Sequence, residues 1–237
     1  MENVKALLFD TFGTVVDWRG SVARQVARLA KPKGIQDLDA DAFARAWRAG
    51  YFPGMAPVIA GERGWTPIDV IHRERLDVIL EEFGIAAHFD EGERADLNLA
   101  WHRLDPWPDS VPGLRRLSSR YMIGPLSNGS TPLLVNMAKR AGIPWDVIMS
   151  SDATRGYKPD PRTYLGACEM MGLTAAEVMM CAAHNNDLEA AASHGLRTAY
   201  INRPTEYGPD QNRDTAATGE WDIITDHIEG IAEVLGC

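Results

Sequence analysis

Residues 4–14 read Val-Lys-Ala-Leu-Leu-Phe-Asp-Thr-Phe-Gly-Thr, a short apolar run that ends on the acidic residue Asp10. An apolar run of this length predicts a buried β-strand, and the polar residues after it mark the carboxyl end of that strand. Gly13 permits a tight turn, and the hydroxyl of Thr14 can fix the rotamer of the Asp10 carboxylate. Taken alone, Asp10 is equally compatible with a strand-terminating Asx turn.

Further short apolar runs, rich in Val, Ile and Leu, follow later in the chain. They cover Tyr121 to Leu126, Asp146 to Met149, Val178 to Ala183, Thr198 to Ile201 and Trp221 to Ile224. Amphipathic helical patterns separate them, for example at Pro132 to Ala141 and Arg162 to Met171. This alternation predicts an α/β fold with a doubly wound parallel sheet, in which the chemistry gathers at the carboxyl ends of the strands.

The regular alternation begins only near Pro112, and the chain before it has a helical pattern. Helices are predicted at Ser21 to Leu29, Ala40 to Ala49, Pro67 to Phe83 and Glu91 to Leu104. Breaks are predicted at Pro32 to Gly34, Tyr51 to Pro57 and Gly61 to Trp65. One strand followed by a long helical insert indicates a core domain that carries an inserted helical cap domain. We therefore predict a core of residues 1–17 and 104–237 and a cap of residues 18–103.

The composition excludes several classes of protein. The formal net charge of −9 argues against a general binder of nucleic acid or anionic membranes, because both partners need a basic surface. Apolar stretches stay well short of the roughly 20 residues that span a bilayer, and the first residues lack a signal-peptide pattern. The three cysteines, Cys168, Cys181 and Cys237, fit reduced thiols, so we expect a cytoplasmic protein.

Three more polar clusters follow later parts of the predicted sheet. They contain Ser127 with Asn128, Lys158, and His184 with Asp187. Each cluster alone has an ordinary explanation, such as loop polarity, a solvated cation or a helix N-cap at Asp187. Their occurrence in the same chain, together with Asp10 at the first strand end, favours a shared site.

Together, Asp10-Thr11-Phe12-Gly13-Thr14, Ser127-Asn128, Lys158-Pro159 and the Asp187 loop resemble the motifs of the haloacid dehalogenase superfamily. Each motif alone is weak, but the ordered set is specific. The resemblance covers nearly the whole chain, including the helical insert. It implies a Rossmann-like core with an inserted helical cap, and Asp10 as a nucleophile.

Position 12 distinguishes the branches of this superfamily. Most members are magnesium-dependent phosphatases with a second Asp two residues after the nucleophile, which protonates the departing alkoxide; this chain has Phe12 there. A halide needs no proton to depart. Ala183 stands where the phosphatases pair a second acid with Asp187, which leaves a poor cage for Mg²⁺. We therefore expect neither a metal ion nor another cofactor.

The stretches around Asp10, Ser127 and Lys158 are similar to the L-2-haloacid dehalogenase branch (type II). By that resemblance, Asp10 attacks the α-carbon of a small (S)-2-haloacid, inverts it and forms an aspartyl ester. Water activated near Asp187 then releases a 2-hydroxy acid, while Lys158 keeps both carboxylates ionised. The resemblance thus implies a hydrolase that acts on carbon–halide bonds.

The same resemblance assigns the substrate contacts. Arg48, within Ala46-Trp47-Arg48, matches the Trp-Arg pair of the family and is expected to hold the departing halide together with Asn128. Without the resemblance, a solvated helix face would be the better interpretation of Arg48. The substrate carboxylate is expected to meet backbone N–H groups near Thr11 and Phe12, and Ser127.

The fourth motif departs from the family pattern, which has Asn at the position of His184 and Trp at that of Asn186. His184 is a candidate to position or deprotonate the hydrolytic water, since the ordinary pKa of His is about 6.5. Asn186 makes the pocket more polar. Tyr164, six residues after Lys158, matches an active-site tyrosine of the family, although packing in the core explains it nearly as well.

Two other functions are also compatible with the sequence. One is a magnesium-dependent phosphatase acting on a small phosphate ester, against which Phe12 and Ala183 argue. The other is a non-catalytic binding module, which would not need the full set of polar motif residues. Aromatic residues of the predicted cap are compatible with a pocket lining or with a homodimer interface: Trp47, Tyr51, Phe52 and Trp65.

Overall fold

The computed structural model describes residues 3–237, which divide into two compact units. The first comprises the described residues up to Asp17 together with Asp105–Cys237, and the second comprises Trp18–Leu104. Leu104, which the sequence-based boundary placed in the core, lies with the second unit. It directly continues the 3₁₀-helix Leu99–Arg103 of that unit.

A parallel sheet forms the centre of the first unit. Within the described residues the strands are β1 (Ala6–Phe9), β2 (Val16–Asp17), β3 (Asp105–Pro106), β4 (Met122–Ser127), β5 (Met149–Ser150), β6 (Val178–Ala182), β7 (Arg197–Ile201) and β8 (Ile223–Thr225). Six of them form one sheet in the order β5–β4–β1–β6–β7–β8, and β2 pairs with β3 in a small antiparallel sheet. The predicted α/β fold with a parallel sheet is confirmed.

Strand β1 occupies the middle of this sheet. It pairs in parallel with β4 on one side and β6 on the other, so that Leu8 is aligned with Gly124 and Met180. All four residues of β1 are fully buried. Because β1 is paired on both edges and packed on both faces, its sequence is a continuous apolar run. This run is the signal that predicted the strand.

Two predicted strands lie further along the chain than expected. The run Asp146 to Met149 contributes only its last residue to β5, because the Asp146 carboxylate accepts a hydrogen bond from the backbone of Ile123 instead. The run Trp221 to Ile224 becomes β8 at Ile223–Thr225. Here the Asp222 carboxylate accepts from the backbone N–H of Thr198, so a side chain replaces the first ladder bond.

The second unit is helical. Its helices are α1 (Trp18–Ala30), α2 (Ala40–Ala49), α3 (Tyr51–Ile59), α4 (Ile68–Glu82) and α5 (Glu91–Asn98), with 3₁₀-helices at Lys31–Lys33, Ala86–His88 and Leu99–Arg103. Asp39 caps α2 by accepting from the backbone N–H of Ala42. Asp90 and Glu93 form a capping box at the start of α5.

Two predictions for this unit are wrong. The segment Tyr51 to Pro57 was predicted as a break but forms most of α3. Pro53 lies in the first turn, where a backbone N–H has no helical partner in any case, and Pro57 removes only one hydrogen bond. The predicted helix Glu91 to Leu104 ends as an α-helix at Asn98 and continues as a tighter 3₁₀-helix.

Helices also pack on the sheet of the first unit. They are α6 (Ser110–Leu117), α7 (Thr131–Ala141), α8 (Ser151–Thr154), α9 (Pro161–Met170), α10 (Asn185–Ser193) and α11 (Ile228–Leu235), with a 3₁₀-helix at Ala175–Glu177. In one buried apolar cluster, Leu8 and Met180 of the sheet pack with Tyr164 of α9 and Leu188 of α10. No helix among residues 3–237 combines the length and apolarity that a membrane span requires.

The order of the strands positions the site. The chain leaves β1 and returns to β4 on one side and β6 on the other, so the direction of winding reverses at β1. In open parallel sheets, ligands bind outside the carboxyl ends of the strands at such a point. The segments that follow Phe9, Ser127 and Ala182 therefore meet at the carboxyl-terminal edge of the sheet.

A buried ion pair and its hydrogen bonds join four segments near this edge. The guanidinium of Arg203 donates to both carboxylate oxygens of Asp109 at 2.8 Å, and its Nε donates to the backbone carbonyl of Thr14 at 2.9 Å. Asp109 also accepts from the backbone N–H of Ile228 at 2.7 Å. Both side chains of the pair are mostly buried, which removes screening by water.

We expect Asp109→Ala to lower the free energy of unfolding by about 3 kcal/mol, because it leaves the Arg203 charge buried without its partner. Asp105→Ala is the matched control. Asp105 pairs with Arg140, and both side chains are about 40% exposed, so its loss should cost less than about 1 kcal/mol. Denaturant unfolding measures both changes, and equal losses would contradict the role of the buried pair.

Candidate active site

The carboxylate of Asp10, directly after β1, is held by three side chains. Oδ1 accepts from Nζ of Lys158 at 2.9 Å. Oδ2 accepts from the Thr14 hydroxyl at 2.8 Å and from Nδ1 of His184 at 3.1 Å. The Thr14 hydroxyl itself accepts from the backbone N–H of Ala183 at 2.9 Å, which directs its own proton toward Asp10. These contacts fix the orientation of the carboxylate.

Lys158 connects Asp10 to a second carboxylate. Its ammonium group donates to both Asp10 and Asp187, and the side chain is almost entirely buried. The backbone N–H of Lys158 donates to Oδ1 of Asn128 at 2.7 Å, which ties its loop to the end of β4. The hydroxyl of Tyr164 donates to Oδ1 of Asp187 at 2.6 Å. Both oxygens of Asp187 thus have a donor.

This arrangement sets the charges of the site. Burial opposes the ionisation of Asp10, but Lys158 and His184 outweigh it, so the pKa of Asp10 lies well below its usual range. Burial also opposes the Lys158 cation, yet Asp10 and Asp187 hold the pKa of Lys158 above its ordinary value. Burial raises the pKa of Asp187, and the nearby Asp10 charge adds to this effect. Asp10 is therefore an anion and Lys158 a cation at neutral pH.

His184 lies between two carboxylates. Its Nε2 is 2.9 Å from Oε2 and 3.1 Å from Oε1 of Glu206, and the Tyr207 hydroxyl lies 3.3 Å from the same nitrogen. An imidazolium can donate to both carboxylates, one from each nitrogen, whereas a neutral ring has only one N–H. Burial favours the neutral ring, but Glu206 and Asp10 outweigh it and raise the pKa of His184 well above the ordinary value.

Glu206 is a residue of the site that the sequence analysis missed. It lies in the loop after β7 and is 1% exposed. Its carboxylate covers Gly13 so closely that a Cβ atom there would lie 2.1 Å from Oε1. Gly13 was interpreted only as a residue that permits a turn, and its φ of 93° agrees with that. The space it leaves for Glu206 has no local signature in the sequence.

Ten of the eleven residues predicted for the site lie in the first unit. Seven are joined directly by hydrogen bonds: Asp10, Thr14, Asn128, Lys158, Tyr164, His184 and Asp187. Thr11 and Phe12 follow Asp10 and are buried. Ser127 is also buried, and its hydroxyl accepts from the backbone N–H of Gly129 at 3.1 Å.

The eleventh residue, Arg48, belongs to α2 of the second unit. Its guanidinium carbon lies 3.9 Å from the ring centroid of Tyr51, and the rings of Trp18 and Phe52 are 5.6 and 5.8 Å away. Such contacts between a guanidinium and aromatic faces are attractive. Arg48 is thus half-buried among aromatic rings, which distinguishes it from a fully solvated residue on a helix face.

The side chains of the site do not fit the set of ligands that a magnesium ion needs. Mg²⁺ requires oxygen ligands in an octahedral arrangement. The Lys158 ammonium instead lies between the two carboxylates, Tyr164 donates to the remaining oxygen of Asp187, and Ala183 contributes no carboxylate. Across residues 3–237, three or more His, Cys, Asp or Glu side chains are nowhere grouped so as to hold a metal ion.

Comparison with known proteins establishes the family. The model of the haloacid dehalogenase-like hydrolase family matches residues 4–195. The chain belongs to the haloacid dehalogenase-like hydrolases. The resemblance inferred from the motifs is confirmed.

Relatives of known name agree with this assignment. The (S)-2-haloacid dehalogenase 4A of Burkholderia cepacia is 26% identical over 245 residues, which cover 96% of this chain and 98% of that protein. The chain is also similar to the crystal structure of a defluorinating L-2-haloacid dehalogenase, with which it shares 53% sequence identity. The TM-score of this match is 0.96, and it covers 99% of this chain and 96% of the other. Another L-2-haloacid dehalogenase structure is 43% identical, with a TM-score of 0.94 over 98% and 99% of the two chains.

The close approach of Glu206 to Gly13 predicts a large effect of adding one methyl group. We expect Gly13→Ala to lower the free energy of unfolding by about 2–4 kcal/mol, since the positive φ and the overlap with Glu206 both contribute. Gly172→Ala is the control. Gly172 also has a positive φ, of 67°, but a Cβ there meets no atom within 4 Å, so it should cost only about 1 kcal/mol. Denaturant unfolding of both variants tests this, and equal losses would contradict it.

Proposed function

We propose that this chain is a hydrolytic dehalogenase that converts a small (S)-2-haloacid into a 2-hydroxy acid and a halide. The observation that carries the proposal is the ionised, oriented carboxylate of Asp10, held by Lys158 beside Asp187. Phe12 occupies the position of the acid that a phosphatase of this family needs. The names of the curated relatives and of the similar crystal structures support the same reaction.

In the first step, Asp10 attacks the α-carbon of the haloacid. A carbon–oxygen bond forms, the carbon–halogen bond breaks, and its electron pair leaves with the halide. The low pKa of Asp10 keeps the nucleophile charged, and Lys158 and Thr14 keep it aligned. A halide departs without a proton, so the buried apolar side chain of Phe12 does not obstruct this step.

Further residues would bind the substrate. Asn128 accepts from the Lys158 backbone through Oδ1, which leaves its amide N–H₂ to face the halide. We assign Arg48 as the second halide donor from the family resemblance. The substrate carboxylate would meet the backbone N–H groups of Thr11 and Phe12, and Ser127 beside them. These contacts would place the α-carbon within reach of Asp10.

In the second step, water attacks Cγ of the aspartyl ester. Asp187 takes a proton from this water, and the burial that raises its pKa makes it a better base than an exposed carboxylate. Lys158 and Tyr164 hold Asp187 in place. The ester bond breaks, the 2-hydroxy acid leaves, and Asp10 returns to its ionised form.

We also propose where the enzyme acts and what it binds. The three cysteines are free thiols, which agrees with a reducing compartment, and we infer a cytoplasmic enzyme. The partner is a small acid rather than a nucleic acid or a membrane. The homodimer suggested by the aromatic residues of the second unit stays a prediction.

Halide release from defined acids tests the function. We expect release from (S)-2-chloropropionate but not from its (R) form, with less than about a twofold change when EDTA is present, because the site does not depend on Mg²⁺. Chloro-, bromo- and fluoroacetate extend the panel, since a similar structure belongs to a defluorinating enzyme. Asp10→Asn should abolish release. Cleavage of phosphate esters with added Mg²⁺, and no halide from any acid, would overturn the proposal.

The role assigned to Arg48 makes a separate prediction. Arg48→Ala should slow the displacement step by about 100-fold, because it removes a charged donor from the departing halide. In a single turnover, less aspartyl ester should then accumulate. Arg45→Ala is the matched control on the same helix, since Arg45 is exposed and pairs with Asp41. Rapid quenching and mass spectrometry measure the ester, and equal ester in the Arg48 variant and the parent would remove Arg48 from this role.

A further inference from the structure

The two oxygens of Asp10 have different surroundings. Oδ1 has one side-chain donor, Lys158, whereas Oδ2 has two, the Thr14 hydroxyl and Nδ1 of His184. Donors lower the nucleophilicity of an oxygen and stabilise negative charge that develops on it later. Oδ1 is therefore the better attacking oxygen, and Oδ2 is the better carbonyl oxygen of the resulting ester.

We propose that His184 and Thr14 form an oxyanion hole for Oδ2 while the aspartyl ester is hydrolysed, and that Glu206 is the positioning residue that holds His184 there as a donor. This inference rests on the proposed function, because without an ester there is no second step. It gives His184 a different task from the base that the sequence suggested. Each of its nitrogens already faces a carboxylate.

The bonds and protons of this step balance. Water adds to Cγ, the carbonyl electron pair moves to Oδ2, and Asp187 receives one proton from the water. The Thr14 hydroxyl and Nδ1–H of His184 stabilise the negative charge on Oδ2. The Cγ–Oδ1 bond then breaks, and the departing alkoxide takes the proton from Asp187. The hydroxyl proton that remains on the new carboxylic acid goes to solvent, which restores the Asp10 anion.

Glu206 is needed to keep His184 protonated after Asp10 becomes an ester. Its carboxylate contacts Nε2, on the side of the ring away from Asp10. When Asp10 becomes an ester it loses the charge that helps to keep His184 protonated. Glu206 keeps its charge, so Nδ1 still carries a proton. A neutral ring with its proton on Nε2 would instead direct a lone pair at Oδ2 and repel the oxyanion.

The pH dependence follows from the groups around the ring. On the Nδ1 side, the charged groups are Asp10 and, beyond it, Lys158. On the Nε2 side, Glu206 and Tyr207 come from the loop after β7, and the Arg213 guanidinium lies 3.7 Å from the centroid of the Tyr207 ring. Tyr200 of β7 is the remaining titratable group near the ring. Glu206 raises the pKa of His184 against the effect of burial. The donor is therefore present below that pKa and lost as pH rises through it. Removing the Glu206 charge lowers the pKa, so ester hydrolysis is lost at lower pH.

A single-turnover experiment with (S)-2-chloropropionate tests this from about pH 6 to about pH 10, a range that brackets a raised His pKa. Rapid quenching and peptide mass spectrometry measure the ester on Asp10. In Glu206→Gln, we expect displacement within about twofold of the parent, hydrolysis slowed at least about tenfold at alkaline pH, and the alkaline limb shifted down by about one pH unit. Glu220→Gln is the control, because Glu220 is an exposed carboxylate between β7 and β8. It should behave like the parent.

A double-mutant comparison separates positioning from a structural role. His184→Asn keeps a neutral donor, so hydrolysis should slow by about tenfold and lose its alkaline limb. In that background, Glu206→Gln should change hydrolysis by less than about twofold, because Glu206 acts through His184. If Glu206→Gln does not fold, the pH profile of His184→Asn alone still decides.

The outcomes are distinguishable. A parent that forms no ester from any 2-haloacid overturns the proposed function. A parent that forms the ester, with an unchanged alkaline limb in Glu206→Gln or His184→Asn, overturns only this inference. An equally large effect of Glu206→Gln with and without His184 also overturns it.

Discussion

The ammonium group of Lys158 is the charge on which the arrangement of the site depends. Asp10 and Asp187 are both buried, and two carboxylates so placed would not both ionise without a cation between them. Because a buried charge that loses its partner is costly, this contact fixes the Lys158 loop against the end of β1 and the first turn of α10. Asn128 adds the end of β4 through the Lys158 backbone. Lys158 thus joins four segments of the chain, three of them through its ammonium group and the fourth through its backbone N–H.

The balance of charge around Asp10 has consequences for an anionic substrate. The buried groups are three carboxylates, of Asp10, Asp187 and Glu206, and two cations, Lys158 and His184. Since the carboxylates outnumber the cations, a haloacid needs further donors before it can approach. We propose that the backbone N–H groups near Thr11 contribute these donors. In the proposed mechanism, esterification removes the Asp10 charge, and its return after hydrolysis repels the 2-hydroxy acid, which favours product release.

The sequence itself revealed parts of the site that follow strands directly, whereas the family resemblance supplied the roles of Lys158 and Tyr164. An apolar run identifies β1, and parallel strands converge at their carboxyl ends, so Asp10, Asn128 and His184 could be placed together. Glu206 could not, because it contacts Gly13 across nearly the whole length of the chain and lies in a loop without periodicity. Helix α3 was missed for a related reason. Its Pro and Gly residues are typical of a loop, but tertiary packing of Tyr51 and Met55 overrides that local preference.

The proposed mechanism needs an acid or a base only in its second step. Displacement of a halide from carbon needs no acid, and the buried Phe12 supplies none. Hydrolysis of the ester does need a proton for the departing alkoxide, and Asp187 can return the one it takes from water. The acid–base function is thereby confined to the second step, on the side of Asp10 that Lys158 occupies. His184 and Glu206 lie on the side of Oδ2, where the charge of that step develops. In the proposed mechanism, the buried Phe12 and the charges around Asp10 together direct this nucleophile to carbon rather than to phosphorus.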